Sequence, residues 1–171
     1  MPFKLPSSHE LLAVVPYLLG FNPANSIMVL CLSDNRLGLA QRLDLPRPEN
    51  SHDVASALLP SLMTENPDAV IIIGFEDNEG QSLPALEALT TALHSHSMPI
   101  HDRIVVRDGR WRSLDCHNPS CCPRKEAQYR NRLTCPVSSV SSWAGESPRI
   151  VTGSPLPDRS KQDPWLQPST P

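Results

Sequence analysis

The order of apolar patterns predicts an α/β fold: a single domain with a mixed β-sheet and helices packed on it, followed by a Pro- and Ser-rich, poorly ordered C-terminal tail. Three observations carry this prediction. The run Ala69-Val70-Ile71-Ile72-Ile73-Gly74-Phe75 is apolar throughout and rich in β-branched residues, as a strand buried on both faces must be. Apolar residues at helical spacing stand on either side of it. Two turn signals, Ser33-Asp34-Asn35-Arg36 and Asp108-Gly109, join strands as hairpins, so part of the sheet is antiparallel.

Taken in order, Ser7 with Glu10 three residues later has the form of a capping box. Behind it Leu11, Leu12, Val15, Leu18 and Leu19 share one helical face. Pro16 cannot donate to the carbonyl of Leu12, which predicts a kink or a restart, and Gly20 is placed to end the helix. A turn-rich loop, Phe21-Asn22-Pro23-Ala24-Asn25-Ser26, leads into a strand over 27–32. The return strand covers about 37–45 and is closed by Pro46 and Pro48. Within it Arg42 and Asp44 stand two apart, so both side chains lie on one face.

Ser51 can cap a second helix, with Asp53 in its first turn and Val54, Leu58, Leu59 and Leu62 as its apolar stripe. Pro60 interrupts that pattern and Pro67 closes it. After the buried strand comes an acidic loop, Glu76-Asp77-Asn78-Glu79-Gly80. A third helix begins near Ser82 and turns Leu86, Leu89 and Leu93 to the sheet, ending around His94-Ser95-His96. A strand over 103–106, the Asp108-Gly109 turn and a partner strand over 110–114 complete the pattern. On that last strand Trp111 points away from Arg110 and Arg112, which predicts a packed indole between exposed arginines.

The chain of 171 residues suffices for one domain with its own core. Its 39% hydrophobic content is low and its 19 prolines are many, but the deficit is concentrated late in the chain. Residues 1–136 are therefore read as the α/β domain. Residues 137–171 are expected to be largely disordered, having too few apolar side chains to offset the entropy of ordering them.

A net charge of −3 gives no global attraction to nucleic acid or to an acidic membrane. The local balance differs, because Arg103, Arg107, Arg110, Arg112, Arg124, Lys125, Arg130 and Arg132 face only Asp108, Asp115 and Glu126 over the same stretch. No apolar run approaches the ~20 residues that span a bilayer, and the first residues lack a secretory pattern. The expected location is the cytoplasm and no membrane partner is expected. Five cysteines cannot all pair within the chain, and in a reducing compartment thiols bind metal, react or pack.

Cys116, His117, Cys121 and Cys122 form the candidate metal site, with zinc as the ion that such thiolate and imidazole ligands suit. The adjacent pair Cys121-Cys122 is not a zinc-knuckle spacing, and a buried, inert role for some of these thiols competes with the metal reading. His94, His96 and His101 form a weaker group, explained as well by a helix C-terminus. Gly-x-Ser-x-Gly, the phosphate-binding Gly-x-x-x-x-Gly-Lys-Ser/Thr and Gly-x-Gly-x-x-Gly are all missing, so the sequence assigns no reaction and no catalytic residue.

Three segments carry a resemblance. They are Leu11-Leu12-Ala13-Val14-Val15-Pro16-Tyr17-Leu18-Leu19-Gly20-Phe21-Asn22-Pro23 through Ser26-Ile27-Met28-Val29, then Arg42-Leu43-Asp44-Leu45-Pro46, then Asp108-Gly109-Arg110-Trp111-Arg112-Ser113 with Cys116 and Cys121-Cys122-Pro123. In this order they resemble the actinobacterial domain-of-unknown-function family numbered 4192, over residues 8–123 with a fainter continuation near Trp143 to Arg159. The chain departs from the family pattern at Arg124-Lys125-Glu126. The resemblance implies a bacterial or phage-borne protein and supplies no activity.

The reading that follows is a binding module for a ligand or partner, with Asn22, Asn25, Arg42 and Asp44 as candidate ligand-binding residues beside the Cys116 to Cys122 loop. Two alternatives stand beside it: a metal- or thiol-dependent enzyme centred on that loop, and nucleic-acid binding through the basic stretch between Arg103 and Arg132.

Overall fold

The computed structural model describes residues 8–34, 36–116, 127–128 and 149–153. The elements are α1 (Ser8–Leu19), β1 (Ser26–Ser33), β2 (Arg36–Asp44), a 3-10 turn (Pro48–Asn50), α2 (Ser51–Glu65), β3 (Ala69–Phe75), α3 (Leu83–Ser95), β4 (Ile100–Arg107), β5 (Arg110–Ser113), β6 (Ala127–Gln128) and β7 (Ile150–Thr152). Among the described residues they build one mixed sheet in the order β6-β5-β4-β3-β1-β2-β7. β1 is antiparallel to both β2 and β3, β4 is parallel to β3, and β7 is parallel to β2. The carboxyl ends of β2, β3 and β4 therefore share one end of the sheet, where α1 also delivers the chain into β1.

The sheet has two buried faces. Ile27, Val29 and Cys31 of β1 pack with Val70 and Ile72 of β3 against Val54, Leu58 and Leu62 of α2 and Leu86, Leu89 and Leu93 of α3. The alternate residues, Met28 and Leu30 with Ile71, Ile73, Ile104 and Trp111, pack against Leu11, Leu12 and Val15 of α1. This is a three-layer arrangement, and the strict alternation within β1 and β3 is the two-residue strand period at work. It explains why β3 reads as continuously apolar: both of its faces meet helices. Full burial of each large aliphatic side chain contributes about 1.5–3 kcal/mol.

Several sequence expectations are met in detail. Gly20 ends α1 at φ +77, with its N–H donating to the Pro16 carbonyl at 2.8 Å. Asp108 and Gly109 both have positive φ (51 and 67), the requirement of a two-residue primed turn, and Arg107 pairs directly with Arg110. Trp111 is buried against α1's face and the flanking arginines point the other way.

Others are corrected. Pro16 lies inside α1, which runs unbroken from Ser8 to Leu19, so the helix does not restart there. Pro60 is likewise inside α2. Ser51 is the first residue of α2 and not its cap; its hydroxyl donates to the Pro48 carbonyl at 2.6 Å and closes the preceding 3-10 turn. β4 begins at Ile100, three residues before the apolar run, because pairing with β3 continues through a register shift. The two short strands β6 and β7 carry no sequence signal of their own and exist through pairing with β5 and β2. The Ser7 cap lies outside the described residues.

Cys31 shows how burial governs a thiol. It is fully buried under α2, and desolvation, reinforced by the Glu65 charge, pushes its pKa from 9.0 up to about 12. The raised value means the folded state holds its proton after the unfolded chain has lost it. The stabilisation is complete below pH 9.0 and is lost as pH rises toward about 12. Urea titrations across that window should show the parent losing stability faster than Cys31→Ala, by about 1.4 kcal/mol per pH unit. Identical slopes would show that Cys31 titrates alike in both states.

Candidate functional site

Loops from four elements meet at the sheet end to which β2, β3 and β4 point. Residues 20–25 enter from α1. Asn25 takes φ +42, a left-handed conformation that asparagine tolerates, and its carbonyl accepts the Leu45 N–H at 2.8 Å. Its side-chain amide donates to the Asp77 carboxylate, joining the loop before β1 to the loop after β3. Between these loops and the β4–β5 turn lies a concavity of about 200 Å³, lined by residues 22–24, 75–77 and 106–109. Its walls combine the apolar Phe75 and Val106 with the polar Asn22, Glu76, Asp77, Arg107 and Asp108.

Glu76 organises this end. It follows β3 directly and is 4% exposed, although the acidic loop it begins reads from sequence as solvated. One carboxylate oxygen accepts the Ser82 N–H at 3.0 Å and the Ser82 hydroxyl at 2.7 Å; the other accepts the Gly80 N–H at 3.2 Å. These donors belong to Ser82, which caps α3, and to the loop just before it. Arg107 supplies the countercharge, with Nη1 at 3.5 Å from Glu76 and 3.6 Å from Glu79. Gly74 lets the loop approach: a Cβ there would stand 2.5 Å from the Ser82 hydroxyl oxygen.

The four candidate ligand-binding residues lie at this same end but not in one wall. Asn22 lines the concavity and Asn25 braces its rim. Arg42 and Asp44 form the same-face ion pair, Nη2 to Oδ1 at 2.6 Å, on the α1 side of β2. The Arg42 guanidinium also lies 5.5 Å from the centre of the Phe21 ring, within cation–π range. Register shows why Asp44 and the concavity are neighbours: Asp44, Ser26, Phe75, Val106 and Trp111 form one row across five strands. In that row the Ser26 hydroxyl and the Trp111 indole N–H are buried without a hydrogen-bond partner among the described residues, as is Nε of Arg42 on the same face of β2.

Of the candidate metal ligands, Cys116 alone is described. It is half-buried, with its backbone N–H donating to the Ser113 hydroxyl at 2.9 Å. His117, Cys121 and Cys122 lie outside the described residues. Among the described residues no group of three or more His, Cys, Asp or Glu side chains could hold a metal ion, and His94, His96 and His101 are exposed singly. A different polar cluster replaces them. Asp102, 8% exposed, accepts hydroxyl hydrogen bonds from Ser8 at 2.8 Å and Ser113 at 2.5 Å, tying the start of α1 to the end of β5. Nothing in sequence spacing joins residues 8, 102 and 113; only the register does.

Three layers, a mixed sheet and a loop-built concavity define the class: a single α/β domain with a concavity at the sheet end where β2, β3 and β4 finish. Comparison with known families then makes the assignment. The profile described as Domain of unknown function (DUF4192) matches residues 9–152, and the chain belongs to that family. The matched span includes β7, beyond the fainter start of the resemblance near Trp143. No curated protein matches the chain. No helix among the described residues is long and apolar enough to cross a membrane.

Proposed function

We propose that this domain is a binding module that holds a small ligand, or a single side chain of a partner, at the sheet end built by residues 22–25, 75–77 and 106–109. The observation that carries this reading is the concavity itself, set at the carboxyl ends of adjacent parallel strands, where open α/β sheets receive their ligands. At about 200 Å³ it is smaller than the ~300–1,000 Å³ of drug-sized pockets, which favours a small group. Glu76, Asp77 and Asp108 outnumber Arg107 among the charged lining residues, so neutral or cationic groups are favoured over anions. Arg42 and Asp44 support the loop from the α1 side through Phe21.

The test is a fragment screen by two-dimensional NMR on the intact chain, using small amides and alkylammonium ions as probes. Shifts should cluster at the Asn22 and Asn25 side-chain amides and the Gly109 N–H. Asn22→Ala should abolish them while leaving the melting temperature within about 2 °C, since exposed side chains contribute little to stability. Shifts confined to another surface would overturn the proposal. Arg42→Ala with Asp44→Ala should cost about 0–1 kcal/mol if the pair acts only as a partly exposed ion pair.

A further inference from the structure

The β4–β5 hairpin carries four arginines on one face. On β4, Val105 packs toward α2 and α3, which places Arg103 and Arg107 on that side as well. On β5, Trp111 packs toward α1, which turns Arg110 and Arg112 to the α3 side. Register completes the patch, because Arg107 stands opposite Arg110 and Val105 opposite Arg112.

These four are not equivalent. Arg103 is held by Asp115 through two nitrogens, Nε at 2.9 Å and Nη2 at 2.5 Å, and Arg107 by Glu76 and Glu79. Arg110 and Arg112 form no ion pair or side-chain hydrogen bond among the described residues; Arg110 is exposed and Arg112 half-exposed. Arg110 lies directly across from Arg107 and Arg112 across from Val105. Residues at i and i+2 on an extended strand leave it from the same face about 6.8 Å apart.

We propose that this face binds a single strand of nucleic acid through its phosphodiester backbone, Arg110 and Arg112 each engaging one phosphate. A single line of charge one strand wide fits one backbone. The planar guanidinium fork suits phosphate oxygens. Because Trp111 is buried on the opposite face, the strip offers no aromatic platform for bases, so binding is tolerant of sequence. With a net charge of −3 on the chain, the attraction is local and confined to low ionic strength. This surface lies outside the concavity proposed above and stands independently of it.

Fluorescence anisotropy of labelled oligothymidylate with the full chain tests the proposal. Two phosphate contacts predict a slope of about −1.4 for log K against log salt, and Arg110→Gln or Arg112→Gln alone should reduce its magnitude by about 0.7. The double variant should lose binding with an unchanged melting temperature and circular dichroism. No anisotropy change at the lowest salt, unaltered binding by the double variant, equal competition from polyglutamate, or preference for the matching duplex would each overturn it.

Discussion

Glu76→Ala is expected to destabilise the domain by about 3–5 kcal/mol, lowering the melting temperature by more than about 10 °C. The substitution leaves the Ser82 N–H, the Ser82 hydroxyl and the Gly80 N–H without their acceptor in a closed environment. It also strips Arg107 of a carboxylate 3.5 Å away. Each orphaned buried donor costs about 1–3 kcal/mol, and the effects overlap because the loop can relax as a unit. Glu76→Gln keeps one carbonyl oxygen as acceptor and should cost less. Urea denaturation of the two variants and of Arg107→Ala, arranged as a double-mutant cycle, separates the charge term from the hydrogen bonds. A Glu76→Ala protein within about 0.5 kcal/mol of the parent would show that this carboxylate is only a solvated loop residue.

The second large effect is expected at Gly74. Adding a Cβ puts a carbon 2.5 Å from the Ser82 hydroxyl oxygen, 2.6 Å from its Cβ and 3.2 Å from a methyl of Leu86. Ser82 cannot step aside freely, because Glu76 holds it by two hydrogen bonds and the first turn of α3 follows it. Gly74→Ala should therefore cost about 1–3 kcal/mol and Gly74→Val more, since strain spreads into the α3 packing. Ser82→Gly introduced beside Gly74→Ala should recover part of that loss in the same denaturation assay. If the second substitution recovers nothing, the close approach is not what demands a glycine. Together the Glu76 and Gly74 variants ask whether the β3–α3 loop is a rigid wall of the concavity.

Elements with their own period were legible in the sequence. β3 announced itself by seven residues without a polar break, and α3 by Leu86, Leu89 and Leu93, all of which are fully buried. The Asp108-Gly109 turn was legible because few dipeptides accept positive φ at both positions. Trp111 was readable as packed by simple alternation on its strand. The Arg42–Asp44 pair was likewise readable, because residues two apart on a strand share a face however the strand is placed.

The candidate site was legible only in part. Asn22 and Asn25 stood out as polar residues in a turn-rich loop, and the fold brings both to the concavity. Glu76 and Arg107 did not, since a carboxylate after a strand and an arginine before a turn are ordinary surface residues until a helix N-terminus closes over them. A faint signal existed in the spacing of Glu76 and Ser82 across a tight loop, but it acquires meaning only once Gly74 is seen to admit the approach.

What the sequence determined by itself is what depends on neighbours along the chain: periodicity, turn chemistry and the side of a strand on which a residue falls. The tertiary structure alone decided the strand order, the row that sets Asp44 beside Ser26, Phe75, Val106 and Trp111, and the Ser8–Asp102–Ser113 tie. It likewise decided which of the four arginines are paired with a carboxylate. These facts join residues tens of positions apart. They are fixed by burial of both sheet faces and by where each loop closes, neither of which leaves a local mark on the chain.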